Sequence, residues 1–481
     1  VGQELQAADR ADTLASADTP LDLQALYDYL YFHVIPSPRT VFQGVSRIPA
    51  GHSATVDAGR VVLQRDWVPA FRPASQHDFA ALQSEFQALL EAAVARQLDG
   101  GKPGCFLSGG TDSSTVAGML ARVADKAGLG KAHTYSIGFD ASGYDEMAYA
   151  RIAASHFGTE HHEYYVTPED LVNSIPAVAA YYDQPFGNSS AVPAFCCARM
   201  ARDDGVTRIL AGDGGDELFG GNSRYALQRV FGIWEHVPEA LQAVLRAGFC
   251  NPLVSRTPVL KKGAGYIRRA SVPLPDRLQD YNLLERLGAA NVLEPAFQAA
   301  VDDQAPLAQQ RAVWAGLSEA RGVNHQLAFD WRYTLAENDL PKVCGTSALA
   351  GIGVGFPMLD DALVDFSMRL PLSYKLKGLR LRWFFKEALR GFLPDAIITK
   401  KKQGFGLPFG VWAHQHTGLR ALAADSLASL GARGIVQPRF VRWLMDEKLA
   451  EHPHYYGEMV WILLMLEQWF RHHRPDWRMP V

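Results

Sequence analysis

Ser108-Gly109-Gly110-Thr111-Asp112-Ser113-Ser114 lies where an apolar run, Cys105-Phe106-Leu107, gives way to a helical pattern, Thr115-Val116-Ala117-Gly118-Met119-Leu120. A turn of this composition between a strand and a helix makes an anion site. Gly109 and Gly110 let the backbone turn tightly and approach a ligand, hydroxyls add donors, and the first N–H groups of the helix face whatever lies in the turn. A nucleotide phosphate is the expected ligand. The stretch is not a Walker A loop, because the Gly-Lys-Ser/Thr ending is missing and the acidic Asp112 stands where that loop carries a cation. An Asp beside phosphates points to Mg²⁺.

By itself a Ser-Gly-Gly turn is also what a tight strand-to-helix connection needs. A second element changes the balance. The apolar run Arg208-Ile209-Leu210 leads into Ala211-Gly212-Asp213-Gly214-Gly215-Asp216-Glu217-Leu218-Phe219-Gly220-Gly221, another Gly-rich turn, now loaded with carboxylates. Glycines and unpartnered acids are a poor way to build a core. A magnesium ion held between phosphates and two Asp side chains from separate loops accounts for both turns, and Asp112 and Asp216 are the expected pair.

With these two turns on the page, the chain resembles the asparagine synthetase family, whose relatives include β-lactam synthetases and lasso-peptide cyclases. Ser108 to Ser114 matches its pyrophosphatase loop, and Gly212 to Gly221 matches its Gly-Asp-Gly-Gly-Asp-Glu-Leu-Phe-Gly-Gly signature. Further pieces agree in order: Ser136-Ile137-Gly138-Phe139 with Tyr144-Asp145-Glu146, Asp183-Gln184-Pro185-Phe186, Phe356-Pro357-Met358-Leu359-Asp360 and Lys402-Gln403-Gly404-Phe405-Gly406. Pro38 to Val45 and Ile48 to His52 are similar to the end of that family's glutaminase domain.

Composition sets the frame. The 481 residues, 48% hydrophobic and 20% charged, suffice for two or three domains. A net charge of −4 gives no basic footprint for nucleic acid, and Lys400-Lys401-Lys402 is the one basic run. Cys105, Cys196, Cys197, Cys250 and Cys344 are odd in number and lack zinc-finger spacing, which fits a reducing cytoplasm better than a disulfide framework. No stretch approaches the roughly 20 apolar residues of a membrane span, and Val460 to Leu466, ended by Glu467, reads as a buried helix. The first residues are too polar and acidic for a signal peptide. The chain begins with Val1 rather than Met, which leaves room for residues upstream.

From Asp78 onward, apolar positions at helical spacing (Phe79, Leu82, Phe86, Leu89, Leu90, Ala93) precede strand and helix in alternation through Phe106, Ile137 and Ile209. That alternation predicts an α/β fold, a doubly wound parallel sheet with helices on both faces, its ligand loops at the carboxyl ends of the strands. After about Asn222 the patterns become helical, as over Pro238 to Ala247 and over Leu381 to Arg390, stopped by Gly391. The resulting division is a loose N-terminus (1–20), a small segment with one helix and strands (21–67), a linker (68–78), the nucleotide-binding part (79–415) and a helical C-terminal extension (416–481). The resemblance implies a sheet of the PP-loop ATP pyrophosphatase type and makes 21–67 a remnant of an Ntn glutaminase domain.

The resemblance also implies a two-step reaction. A carboxylate attacks the α-phosphate of ATP to give an acyl-adenylate and pyrophosphate, then an amine attacks the acyl carbon and AMP leaves. Ser108, Gly109, Gly110, Asp112, Ser113 and Ser114 match the pyrophosphate-binding positions, Asp112 and Asp216 the metal positions, and backbone groups of Phe106, Ile137 and Gly212 the adenine positions. Lys402 matches the lysine that stabilises both transition states. Asp213 stands where relatives carry an acidic residue or a tyrosine, and is the expected base for the amine, unless it only orders its loop through backbone hydrogen bonds. Tyr144-Asp145-Glu146 also matches, although a helix capped at Asp145 explains it equally. His161-His162 is not expected to bind metal, since adjacent residues project in different directions and no third ligand is suitably spaced.

Two departures bear on substrate. Where the family carries charged residues before Phe-Pro-Leu-Asp, this chain has Cys344, Gly345, Gly353 and Gly355, and Gln184 and Asn188 replace common acids. Loss of large polar side chains is expected to vacate space for a substrate bulkier or less polar than aspartate. No Cys precedes Cys105, so the family's N-terminal glutaminase thiol is missing from this sequence. The expected activity is an ATP-dependent amide-forming ligase that uses Mg²⁺ and a small-molecule or peptide carboxylate. It would take free ammonia, ammonia from a separate glutaminase subunit, or an amine supplied by the substrate. An intramolecular cyclase and a catalytically silent nucleotide-binding protein are the alternatives, and neither nucleic acid nor membrane is an expected partner.

Overall fold

The computed structural model describes residues 5–57, 60–73, 78–141, 143–249, 258–317, 320–401 and 406–480. Helix α1 (Leu23–Phe32) and the antiparallel strands β1 (His52–Asp57) and β2 (Arg60–Arg65) come first. Asp22 caps α1 by accepting from the amides of Gln24 and Ala25, and the helix ends at His33, whose left-handed φ of 65° returns its N–H to Tyr29 O. Helix α2 (Phe79–Gln97) then leads into the central sheet.

That sheet has five strands: β3 (Gly104–Phe106), β4 (His133–Phe139), β5 (Glu160–Val166), β6 (Arg208–Leu210) and β7 (Gly353–Gly355). Their spatial order is β5-β4-β3-β6-β7, and every pairing is parallel. The chain therefore builds outward from β3 in one direction and, after β5, returns to build outward in the other. Between β3 and β6 lies the switch point, where the loops leaving two neighbouring strands diverge and open a crevice. Both Gly-rich turns leave from there.

Helix α3 (Thr111–Ala127) follows β3 and is apolar on most of its surface because it is covered on most sides. Val116, Ala117, Met119, Leu120 and Ala124 are buried, and each large side chain withdrawn from water contributes about 1.5–3 kcal/mol. Gly128, left-handed at φ 67°, stops the helix. Helices α4 (Met147–Phe157), α5 (Pro168–Tyr181) and α6 (Ala191–Asp203) make the remaining crossovers, and a short α7 (Gly215–Phe219) follows β6. Asp145 Oδ1 accepts from the Met147 amide (3.2 Å) from one position before the N-cap, Glu146, whose own side chain makes no capping bond.

Beyond α7 the chain is largely helical, as the patterns predict. The expected helix over Pro238 to Ala247 runs Glu239–Phe249, and the apolar Val460 to Leu466 lies inside a helix over Pro453–His473. Among the described residues no helix is long and apolar enough to cross a membrane. That last helix packs with α1 in one core, where Trp461 and Trp469 are fully buried and Tyr29 OH donates to Ile462 O (2.8 Å). Its Glu467 is wholly buried and is satisfied by Arg433 (2.6 and 3.0 Å) and Ser429 (2.7 Å).

The helix expected over Leu381 to Arg390 is shorter than predicted. Leu381 belongs to a two-residue strand, β9 (Arg380–Leu381), paired with β8 (Leu376–Lys377), and the helix spans Trp383–Ala388. Between them Arg382 takes a left-handed φ of 54°, a conformation that ends one element before the next begins and that a non-Gly residue adopts at a cost.

Candidate functional site

The loop after β3 is shaped by its own polar atoms. Ser113 Oγ accepts from the Ser108 amide (3.1 Å), lies 3.0 Å from Ser108 Oγ and donates to Gly110 O (3.3 Å). Gly109 has φ 72°, and a Cβ there would stand 2.6 Å from the Ala150 amide nitrogen, so only glycine fits. Gly110, at the N-cap of α3, makes no side-chain cap, which leaves the first amides of that helix directed at the crevice.

The loop after β6 abuts it. A Cβ on Gly212 would lie 2.8 Å from the Ser113 amide, and Gly214, at φ 96°, presses on Leu359 closely enough that a Cβ would fall 2.2 Å from its Cδ2. This contact brings Asp112 and Asp216 together. Arg382 lies between them, its side chain only 3% exposed: Nη1 donates to Asp112 Oδ2 (2.8 Å), Asp216 Oδ1 (2.9 Å) and Thr111 Oγ1 (3.0 Å), and Nη2 to Asp112 Oδ1. Burial works against the charge on this guanidinium, but Asp112 and Asp216 outweigh it and hold the group fully protonated. Two hard carboxylate oxygens from separate loops are the donor type magnesium takes, and Arg382 shows that the space between them accepts positive charge.

A cavity of about 360 Å³ opens beside this pair, lined by Phe106, Ser108, Asp112, Ser113, Ile137, Gly212, Asp213 and Asp216, along with Tyr135, Cys197 and Val343. The three positions expected at adenine thus line the same cavity as Ser108, Asp112 and Ser113 of the loop expected at pyrophosphate, while Gly109 lines neither this cavity nor the next. A second cavity of about 680 Å³ adjoins it through Ser108, Asp112 and Ser113, and takes in Gly110. Its wall is basic, with Arg380, Arg382, Lys386, Arg390, Lys400 and Lys401.

The first cavity is also lined by groups that the sequence did not single out. Over Trp331–Asp339 the helix widens to a π-helical stretch before continuing as Leu340–Ala350, a local feature that re-aims side chains. Asp339 and Lys342 both reach the cavity from this segment. Lys342 Nζ lies 3.2 Å from Asp339 and 3.6 Å from Asp213. Burial would lower the lysine, but Asp213 and Asp339 together raise it, so it stays charged. Asp213 is itself raised, chiefly by burial and further by Asp339, with Lys342 pulling the other way. Glu217, also on the wall, is pushed up to about 8 by burial and by Asp216, Asp339 and Asp330.

Not every expected residue reaches the crevice. Ser114 is fully buried, its amide is spent on Gly110 O (3.0 Å) within the helix, and it lines neither cavity, so its place is in the core beside α3. Lys402, with Gln403, Gly404 and Phe405, lies outside the described residues. Of the same basic run, Lys400 is not on a solvated face: its Nζ pairs with Glu146 (2.7 Å) and donates to Gly109 O (3.3 Å), tethering the loop after β3.

The segment from Cys344 to Gly355 does not widen the cavity as expected. A Cβ on Gly345 would meet the Tyr182 ring at 2.7 Å, and one on Gly355 would meet Gln97 at 2.7 Å and Leu210 at 2.9 Å. The room left by these small residues is thus already filled, and Gly353 to Gly355 is edge strand β7 rather than cavity wall. Cys344 is exposed and free, while Cys105, Cys196 and Cys197 are free and buried.

The asparagine synthase family profile matches residues 85–471, a span that holds both Gly-rich loops, Arg382 and Lys342. Among similar proteins, one from Mycobacterium tuberculosis, provisionally named a glutamine-hydrolysing asparagine synthetase, is 27% identical over 467 residues, which are 95% of this chain and 68% of the relative. Asparagine synthetase [glutamine-hydrolyzing] 1 of Bacillus subtilis (strain 168) is 24% identical over 462 residues, 95% of this chain and 70% of its own length. Asparagine synthetase [glutamine-hydrolyzing] 3 of the same organism is 26% identical over 378 residues, 76% of this chain and 55% of its own. With a profile match running from α2 to the last helix, the chain belongs to the asparagine synthase family.

Proposed function

We propose that this chain is an ATP-dependent, AMP-forming amide ligase that adenylates a carboxylate, releases pyrophosphate and passes the acyl group to ammonia or an amine. The observation that carries this reading is the meeting of two Gly-rich loops at the switch point, with Asp112 and Asp216 side by side and a cavity next to them. The loop after β3 cradles the phosphates with amides and with the Ser108 and Ser113 hydroxyls, and Phe106, Ile137 and Gly212 line the place for the base. Magnesium, held by Asp112 and Asp216, would supply charge neutralisation as pyrophosphate departs. The basic second cavity suits pyrophosphate as it leaves.

In the same cavity, Lys342 is a fixed cation suited to a substrate carboxylate, and Asp213, raised by burial, is suited to take a proton from the attacking amine. Lys402 is assigned to the transition states on the family resemblance. The amine component is ammonia, ammonia from a separate glutaminase subunit, or an amine borne by the carboxylate substrate. The test is to incubate the purified chain with ATP, Mg²⁺, aspartate and ammonium, following pyrophosphate release together with mass spectrometry of the products. Aspartate-dependent pyrophosphate with asparagine identifies an ammonia-dependent asparagine synthetase. Turnover only with larger carboxylates that carry their own amine identifies a cyclase, and ATP binding without pyrophosphate release from any carboxylate overturns the ligase assignment.

A further inference from the structure

At the amino-terminal edge of the same sheet, three side chains from three elements converge. His133 opens β4, His162 is the third residue of β5, and Asp204 follows α6 just before β6. His133 Nδ1 lies 3.1 Å from His162 Nε2, His162 Nε2 lies 3.2 Å from Asp204 Oδ2, and His133 Nδ1 lies 3.6 Å from the same oxygen. A tetrahedral ion with bonds of about 2.0–2.1 Å places its ligand atoms about 3.3 Å apart. The triangle has that size.

Hydrogen bonding alone serves this triangle poorly. If His162 Nε2 carries a proton, that one proton must face both His133 Nδ1 and Asp204 Oδ2. If His133 Nδ1 carries it, His162 Nε2 turns a bare lone pair toward the carboxylate. One cation at the centre satisfies all three atoms. The site is partly sheltered, with His133 12%, His162 25% and Asp204 31% exposed, so water can reach a fourth position. Tyr135 OH fixes the carboxylate in place by donating to Asp204 Oδ2 (2.5 Å), whereas Lys102 Nζ, 2.7 Å from the same oxygen, is a cation set against the place a metal ion would take.

We propose that His133, His162 and Asp204 bind a divalent ion of the zinc type, with an open fourth position, that pins β4, β5 and the α6–β6 junction together. Two imidazoles and one carboxylate favour zinc over magnesium, so the site is chemically distinct from the Asp112–Asp216 pair. The sequence concealed it because His161 and His162 do diverge: His161 Nδ1 contacts Thr134 Oγ1 (2.9 Å) on the other face of the sheet, and the partners of His162 are 29 and 42 positions away. Lys102 is the competitor, since its ammonium and the metal ion share one carboxylate oxygen.

The test is titration of the purified, EDTA-treated chain with Zn²⁺ alone and with Co²⁺ alone, the latter read by visible absorption. One ion per chain is expected, with the intense Co²⁺ spectrum of a four-coordinate site. His162→Ala and Asp204→Asn should abolish binding, and an Asp112→Asn/Asp216→Asn double variant should keep it. Absence of stoichiometric binding, binding that survives both ligand variants, or binding lost in the double variant overturns the proposal. Should the ligand variants fail to fold, Lys102→Met decides: affinity about tenfold tighter supports the site, and unchanged or weaker affinity overturns it.

Discussion

The two edges of the central sheet gather charged groups by opposite means. At the carboxyl edge the chain uses backbone: Gly109 and Gly214 adopt left-handed conformations, Gly212 lets one loop touch the next, and Asp112 and Asp216 are adjacent because the loops are. At the amino edge the chain uses side chains on regular elements, with His133, His162 and Asp204 projecting from two strands and a helix end. Backbone sites tolerate little, since every atom of the turn is also part of the fold. Side-chain sites can be altered one group at a time.

The largest effect that would break this contrast is expected at the carboxyl edge. Asp216→Asn removes one of the two carboxylates that converge between the loops, and ATP-dependent pyrophosphate release should fall by about 1000-fold while Arg382 stays anchored by Asp112. Activity near that of the parent chain would show that Asp216 is a structural acid. Gly109→Ala should lower stability by about 3 kcal/mol in thermal or urea melts, because it combines left-handed strain with a Cβ inside contact distance of the Ala150 amide. A loss below about 0.5 kcal/mol would mean that the turn yields more than its packing allows.

Lys342→Met sharpens the comparison within the cavity itself. Lys342 draws the Asp213 carboxyl down against burial and Asp339, so without it the carboxyl is raised further and less of it is ionised at a given pH. The acid limb of the kcat/KM profile should move to higher pH, with activity at neutral pH reduced about tenfold. An unmoved limb would remove Asp213 from the role of base. The smallest effect belongs to the amino edge: Lys102→Met, which breaks a partly exposed pair with Asp204, should change stability by no more than about 1 kcal/mol and leave pyrophosphate release unaltered. A large loss of turnover there would show that the two edges are coupled.

What could be read from the sequence follows from how local each signal is. Ser108 to Ser114 and Gly212 to Gly221 announce themselves because a strand, a glycine turn and a helix start are contiguous, and the parallel sheet follows from the alternation around them. Arg382 gives no such signal. Its partners are 270 and 166 positions away, and it stands in what reads as an unbroken helical pattern, where only the Gly378 turn just before it hints at an interruption. Lys342 and Asp339 are hidden by the π-helical stretch, which shifts the face a 3.6-residue period would assign them. The small residues from Cys344 to Gly355 mislead for a related reason: counting missing side chains reveals a vacancy, but only the fold shows Tyr182 and Gln97 filling it.

The hydrogen bond from Tyr29 OH to Ile462 O joins residues 433 positions apart, and the core it belongs to unites α1 with the helix over Pro453–His473. During synthesis, β3 to β6 and both Gly-rich loops emerge before that helix. Contacts of such separation are slow to form, so α1 can meet Leu283–Leu287, where Asn282 donates to Tyr31 O, before it meets the helix over Pro453–His473. The surroundings of the N-terminal helix are therefore completed in stages, and the contact with the helix over Pro453–His473 is the later one.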